Sequence, residues 1–278
     1  MPLSIAQQRS GKTAAKDWTS PRQSDRTFTI MAWLTVLLVA SSPFLGSFVG
    51  LVVDRLPDGR SILWPRSACD RCQTPLGLRD LVPVFGWILI RGHCRHCGKP
   101  IDPLYPALEV AALAIAIWSI ATVPAALAWP TALLGYALLT LALIDFRHLI
   151  LPDGLTLPLI PLGLAVLWWL GADPLWIHAS AAAIGFTGML GLRATYQRLR
   201  KREGLGLGDA KLVAAAGAWV GFEGLPGVIL IGAALGLAYH LIRLRFVNPA
   251  SIEPEIPFGP WIAAGFWLIW LYGPLTFA

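Results

Sequence analysis

The sequence predicts an all-α polytopic membrane protein of about eight transmembrane helices, with a cytoplasmic, cysteine-framed, zinc-ribbon-like loop between the first two. Three observations carry that expectation. The 278 residues are 56% hydrophobic and only 14% charged, and the mean hydropathy is +0.62, which leaves too few polar side chains to clothe a water-soluble domain. Apolar runs on the scale of a bilayer span recur along nearly the whole chain. The basic residues behind the formal charge of +6 fall between those runs rather than along one face. Membrane topology therefore accounts for the charge, and no nucleic-acid partner is expected.

Taken in order, residues 1–27 are polar and rich in Ser, Thr and Gln, which predicts a disordered tail. No compact apolar core with a small-residue cleavage site leads into a soluble domain, so the tail does not read as a cleaved signal peptide. Residues 28–53 form the first expected span, 54–104 a loop domain, and 105–278 a membrane core. Within that core, apolar runs stand at 105–122, 131–144, 155–171, 176–192, 211–223, 226–242 and 261–276. The runs at 131–144 and 211–223 are short for a full crossing. The first ends at Asp145, so its helix is expected either to continue past the aspartate or to lie partly inside the bundle.

Lys and Arg set the orientation. Residues 54–104 hold eight of them, the turn after Asp145 holds Arg147, 193–211 hold six and 243–256 hold two, whereas the connections near 123–130, 172–175 and 224–225 hold none. Alternation over eight crossings puts the basic loops in the cytoplasm and both termini outside. Arg9, Lys12, Lys16, Arg22 and Arg26 in the tail run against the rule. Either the 54–104 loop outweighs them or the working start lies downstream, near Met31.

All four cysteines fall in the first basic loop, as Cys69-Asp-Arg-Cys72 and Cys94-Arg-His-Cys97. Two C-x-x-C knuckles aim four thiolates at one point, the spacing of a structural zinc site. Two disulfides are the alternative, disfavoured where cytoplasmic thiols stay reduced. His93 and His96 flank the second pair and are substitute ligands or simply solvated. A filled four-cysteine site is closed, so its metal would hold shape rather than activate water.

Acidic groups near bilayer depth are rare and usually functional. Asp145 ends an apolar run, Asp153 follows in Leu151-Pro152-Asp153-Gly154, and Asp209 sits in Gly204-Leu-Gly206-Leu-Gly208-Asp209-Ala-Lys211. The topology puts all three at the cytoplasmic side. Two carboxylates from different helices can share a proton, one activating water while the other polarises a carbonyl. The plainer readings are a span-end marker for Asp145, a helix cap for Asp209 and turn chemistry for Asp153. The glycine run lacks the strand and the full G-x-G-x-x-G of a dinucleotide loop; it lets backbone approach closely and places the aspartate. Lys211 lies near enough in sequence to favour the Asp209 anion, or else meets lipid headgroups.

In this order the motifs resemble the type IV prepilin peptidases, the leader peptidase/N-methyltransferase family. The likeness runs from Gly46-Ser47-Phe48 and Asp54-Arg55-Leu56-Pro57, through the two cysteine pairs, Asp80-Leu-Val-Pro83-Val84 with Trp87, Arg91-Gly92, and Tyr105-Pro106 with Glu109. It continues through Asp145, Leu151-Pro152-Asp153 and Gly206-Leu-Gly208-Asp209-Ala-Lys211 to Pro257-Phe258-Gly259-Pro260. The resemblance implies that Asp145 and Asp209 are the catalytic pair, supported by Asp153, Gly206, Gly208 and Lys211, in a bacterial inner-membrane enzyme whose active site opens to the cytoplasm. It implies removal of a short basic leader from type IV prepilins or type II secretion pseudopilins just after a glycine. It also implies methylation of the new N-terminus with S-adenosylmethionine, with residues 54–104 as the associated region. No residues are singled out for that cofactor. Asp54, Asp70 and Gly86 depart from the usual pattern, and none touches the peptidase motifs.

Competing readings are an intramembrane Gly-x-Gly-Asp protease with other substrates, against which the cysteine loop speaks, and an ion-coupled transporter, for which the expected internal repeat is missing. Asp80, Asp102 and Glu109 are candidates for gripping a basic leader; Glu109 is equally a brace for a helix end or loop backbone. Arg243 and Arg245 read as positive-inside anchors, and Trp168, Trp169, Trp261, Trp267 and Trp270 as belt and packing residues. His178 and His240 read as core histidines.

Overall fold

A bilayer offers no water to an unpaired backbone group, so apolar runs of this length satisfy their N–H and C=O groups internally and become helices. The computed structural model describes residues 21–62, 64, 68–69, 71–75, 77, 80, 82–171, 174–201, 206–246 and 257–275. They form α1 (Pro21–Arg55), α2 (Phe85–Leu89), α3 (Leu104–Thr122), α4 (Ala128–His148), α5 (Asp153–Thr156), α6 (Leu159–Trp169), α7 (Leu175–Arg200), α8 (Leu207–Phe246) and α9 (Gly259–Tyr272). Among the described residues the only extended pairings are isolated bridges, Ala68 with Pro75 and His93 with Pro100. Among the described residues, five helices are long and apolar enough to cross a membrane: Thr29–Arg55, Leu104–Thr122, Ala125–His148, Leu175–Arg200 and Leu207–Phe246. α1 starts at Pro21, inside the segment expected as a disordered tail; the rest of that tail, 1–20, lies outside the described residues.

The chain divides into two compact units, with the boundary between Tyr136 and Ala137 inside α4. In the unit before the boundary, α1 and α3 pack antiparallel through small residues. A Cβ on Gly46 would lie 2.5 Å from the Leu108 carbonyl oxygen, and one on Gly50 would lie 3.0 Å from the Tyr105 ring. Tyr105 donates its hydroxyl to Asp54 at 2.8 Å, tying the start of one span to the end of the other.

In the unit after the boundary, α8 is two helices rather than one. A straight 40-residue helix would be about 60 Å long, twice the apolar thickness of a bilayer. Gly221 breaks it with φ 66° and ψ −168°, a conformation open to glycine. Trp219, before the break, meets Phe266 and Trp270 of α9, and Gly208 and Gly259 both rest on Leu151. The arm 207–220 therefore runs in the same sense as α9. After the break the register inverts, with Gly224 and Gly227 against Ile269, Gly232 against Ile262 and Gly236 against Trp261. The chain reverses at Gly221, which accounts for the two runs expected at 211–223 and 226–242.

Small residues allow these arms to approach. α7 lies antiparallel to the first arm, with Gly217 against the Ala181 carbonyl at 2.7 Å, and Gly163 leaves space for the Trp219 ring. The indole of Trp219 donates to the Leu159 carbonyl at 2.8 Å and is buried, as are Trp267 and Trp270, whereas Trp168, Trp169 and Trp176 are exposed. The tryptophans thus split into packing residues and an outward set suited to the membrane interface.

Gly265 makes the closest approach to a neighbouring helix's backbone in this unit, since a Cβ there would stand 2.5 Å from the Val228 carbonyl oxygen. Gly265→Val is expected to lower stability by about 1–3 kcal/mol, read as a lower melting midpoint of the detergent-solubilised protein. An unchanged midpoint would refute the close packing of α9 on the second arm.

Candidate active site

Asp145 stands in the last turn of α4, so the helix runs past the aspartate to His148. Leu149 then turns the chain with φ 55°, its N–H returning to the Asp145 carbonyl at 2.9 Å. The Asp145 side chain is 6% exposed, and its Oδ2 accepts the N–H of Gly259 at 2.9 Å. A Cβ at 259 would lie 2.8 Å from that oxygen, so glycine is what lets the α9 N-terminus reach the carboxylate. Phe146, the next residue, packs edge-on against Tyr239 and Trp261, which fixes the end of α4 against α8 and α9. Arg243 stacks over the Tyr239 ring at 5.7 Å.

Asp209 lies in the first turn of α8 and is 8% exposed. Its Oδ2 accepts the N–H of Gly206 at 3.2 Å, the returning half of a capping box. The capping role expected for it is therefore real. Leu151 lies beside both motifs: a Cβ on Gly208 would come 2.7 Å from Leu151 Cβ, and one on Gly259 would come 3.2 Å from its Cδ1. Two buried carboxylates from different helices thus have backbone neighbours, Gly208 and Gly259, that rest on one leucine, and each has an oxygen held by backbone.

Asp153 is not part of that pair. It opens α5 and makes a 2.5 Å ion pair with Lys211. Lys211 therefore serves Asp153 rather than Asp209, and it fastens the Leu151–Pro152 turn to the helix that carries Asp209. Gly206 and Gly208 lie where expected; Gly204 falls outside the described residues.

The four cysteines converge in the unit before the boundary. Their sulfurs all lie within 4.8 Å of one another, with Cys69–Cys97 at 3.8 Å and Cys72–Cys94 at 3.9 Å. Zinc–sulfur bonds of about 2.3 Å in tetrahedral array put sulfurs ~3.8 Å apart, so Cys69, Cys72, Cys94 and Cys97 fit such an ion, and no disulfide joins them. The knuckles are duplicates offset by 25 residues: Cys69 N–H to Thr74 and Cys94 N–H to Lys99, Gln73 N–H to Cys69 and Gly98 N–H to Cys94, with left-handed Gln73 and Gly98. Hydrogen bonds from the Thr74 side chain and backbone pull the Cys72 thiol down to about 6, and the N–H groups of Cys97 and His96 lower that of Cys94. Cys97 receives the Lys99 N–H, yet desolvation and the other sulfurs push it up to about 11. Four thiols crowded together resist losing every proton until a dication neutralises them. His93 and His96 stay exposed outside the cluster.

The acids considered for leader recognition all have structural partners. Asp80 pairs with Arg95 at 2.8 Å, Asp102 caps the N–H of Leu104 at 2.8 Å, and buried Glu109 accepts the N–H of Val84 at 2.6 Å. Glu109 is thus the loop brace, the second of its two expected roles.

Residues 41–123 match the Bacterial Peptidase A24 N-terminal domain, and residues 132–241 match the Type IV leader peptidase family. The chain belongs to the type IV leader peptidase family. It is similar to a prepilin leader peptidase/N-methyltransferase of Burkholderia pseudomallei (strain 1026b), 40% identical over 76% of this chain and 69% of the relative. Similar proteins of the same description occur in Aeromonas salmonicida (strain A449), 32% identical over 87% and 92%, and Klebsiella pneumoniae, 36% identical over 72% and 90%. No solved structure matches. For this leader peptidase family member, sequence reasoning passed over two features: the clasp of Gly259 on Asp145 and the wedge of Leu151. The duplicated knuckle did leave a signal, C-x-x-C-x-x-P ending at Pro75 and again at Pro100.

Cys94→Ser is expected to reduce zinc from one ion per chain to a substoichiometric level, measured by metal analysis of the purified protein; full occupancy would refute the four-sulfur site. For the Lys211–Asp153 pair, Lys211→Met and Asp153→Asn should each slow peptide cleavage by about tenfold and the double variant no further, as one shared interaction requires. Additive losses would mean the two residues act separately.

Proposed function

We propose that this chain is a membrane aspartyl endopeptidase that removes the short basic leader from type IV prepilins or type II secretion pseudopilins at the cytoplasmic face of the bacterial inner membrane. It then N-methylates the new terminus with S-adenosylmethionine. The observation that carries the peptidase reading is the pair of buried carboxylates, Asp145 and Asp209, on different helices whose Gly259 and Gly208 neighbours both rest on Leu151.

With one proton between them, the ionised carboxylate takes a proton from water as its oxygen attacks the scissile carbonyl, while the protonated one hydrogen-bonds the carbonyl oxygen. Collapse of the tetrahedral adduct breaks the C–N bond, and a carboxyl proton passes to the leaving amine. The backbone N–H groups of Gly259 and Gly206 hold one oxygen of each aspartate in place and leave water and carbonyl to the other edges. Asp145 has no cation beside it and Lys211 is engaged by Asp153, so no salt bridge locks either carboxylate as an anion among the described residues.

Orientation is supported by charge. Arg147 and the six basic residues of 193–211 flank the aspartates, as cytoplasmic loops should. A substrate with a basic leader and an apolar helix would present its cleavage point at that depth. The zinc ion, held by Cys69, Cys72, Cys94 and Cys97, would supply structure. The methyl donor is assigned to no residue: the cleft of about 710 Å³ beside the second knuckle is walled mainly by Val82, Leu89 and Ile90, and the Arg95 at its edge is paired with Asp80.

Co-expression of a tagged prepilin with the wild-type chain, Asp145→Ala or Asp209→Ala tests this reading. Mass spectrometry of the substrate N-terminus should show cleavage with a one-methyl mass gain for wild type, and a loss of cleavage of at least about 10³-fold for each variant. Cleavage surviving either substitution would break the two-aspartate mechanism, and an unmethylated product would remove the second activity.

A further inference from the structure

The loop between α1 and α3 carries an apolar surface used neither by the cysteine site nor by the peptidase pair. Phe85, Ile88 and Leu89 project from α2, and Val82 stands just before it; Phe85 is 68% and Leu89 75% exposed. Their direction is fixed from behind. Gly86 is buried, Trp87 packs on Gly92, and its indole donates to the Ile101 carbonyl at 3.4 Å. A clustered apolar face of this kind in water marks an interaction surface.

Its depth follows from what holds α2. The Val84 N–H, at a residue forced to φ 59°, is bonded to Glu109 at 2.6 Å. Glu109 lies five residues inside α3, about 8 Å along the helix axis. At the same level, a Cβ on Gly46 of α1 would lie 2.6 Å from the Glu109 Cα, and Gly46 is nine residues short of the end of that helix. The start of α2 is therefore anchored below the ends of both spans rather than out in the aqueous phase. Beyond the apolar face, Arg91, Arg95 and Lys99 are exposed and cationic, with Arg95 paired to Asp80. Apolar side chains with cations close by, Arg95 lining the same cleft as Val82 and Leu89 and Arg91 two residues after Leu89, suit an anionic headgroup layer.

We propose that Val82, Phe85, Ile88 and Leu89 dock the loop onto the anionic lipid of the same membrane that α1 and α3 cross, with α2 lying at the boundary of headgroups and acyl chains. This holds the four-cysteine site at headgroup level, because Cys94 follows Leu89 by only five residues.

The test places a photoreactive diazirine amino acid at Phe85, Ile88 or Leu89 of the full chain in nanodiscs of phosphatidylethanolamine and phosphatidylglycerol, with exposed Arg71 as the comparison site. Each variant is first checked for membrane insertion and peptide cleavage, and three reporter sites guard against one that fails to fold. Lipid adducts about tenfold more abundant at these sites than at Arg71 are expected. Substituting Arg91→Gln together with Lys99→Gln should lower their yield severalfold. Products quenched by water at all three sites would overturn the proposal. Adducts to an added prepilin in place of lipid would overturn it in favour of a substrate surface.

Discussion

The organisation of the peptidase unit depends on keeping two carboxylates buried within reach of each other. An isolated anion in an apolar setting is expensive, and a second like charge nearby makes it more so. A neighbouring cation would relieve this but would also fix the charge state that the proposed general acid–base chemistry needs to change. The chain uses uncharged donors instead, the N–H groups of Gly259 and Gly206. It diverts its nearest lysine to Asp153. Backbone donors orient a carboxylate without dictating its protonation, and they work at this range only where a side chain is missing. That explains glycine at 259 better than any demand for flexibility: its neighbour is the aspartate oxygen itself.

The same constraint reaches away from the chemistry. Both N-termini at the site, those of α8 and α9, must start at one level and run side by side, which they do because Trp219 packs between α6 and α9 a dozen residues further on. The chain must then return, and Gly221 reverses it without a loop. The His178 ring lies against that reversal, 3.1 Å from where a Cβ would stand. The small residues of α7, α8 and α9 are thus the means by which these three helices pack closely behind Asp209 and the Gly259 clasp on Asp145.

Much of this was legible in the sequence because bilayer physics is strict. The apolar helices follow from length and hydropathy, the run ending at Asp145 takes the first of its two expected courses, and the four-sulfur cluster follows from cysteine spacing. Asp145 and Asp209 stood out because acids at that depth are rare. Features set by tertiary contact were less visible. Lys211 sits beside Asp209 in sequence, yet helical geometry points it at Asp153. Asp80, Asp102 and Glu109 looked available to a basic leader because sequence shows charge and not occupancy, and each is engaged with backbone or Arg95. The Gly259 clasp spans 114 residues, beyond any local pattern.

The cysteine loop poses the opposite problem from the helical core. The described residues of this loop hold little helix, and a segment of its size buries too small an apolar core to stay folded unaided. Its order comes from outside the usual sources: duplicated knuckles whose N–H groups prepare thiolates for a dication, the Val84 tie to Glu109 of α3, and the Tyr105–Asp54 bond that joins the two span ends bracketing it. Glu109 is the more telling of the two. A carboxylate inside a span is costly, and a brace placed on the loop side of α3 at the water boundary would have avoided that cost. Its burial makes sense if the loop has to be drawn inward, so that Val84 takes a left-handed conformation and α2 turns its leucine, isoleucine and phenylalanine outward at the level of the membrane surface.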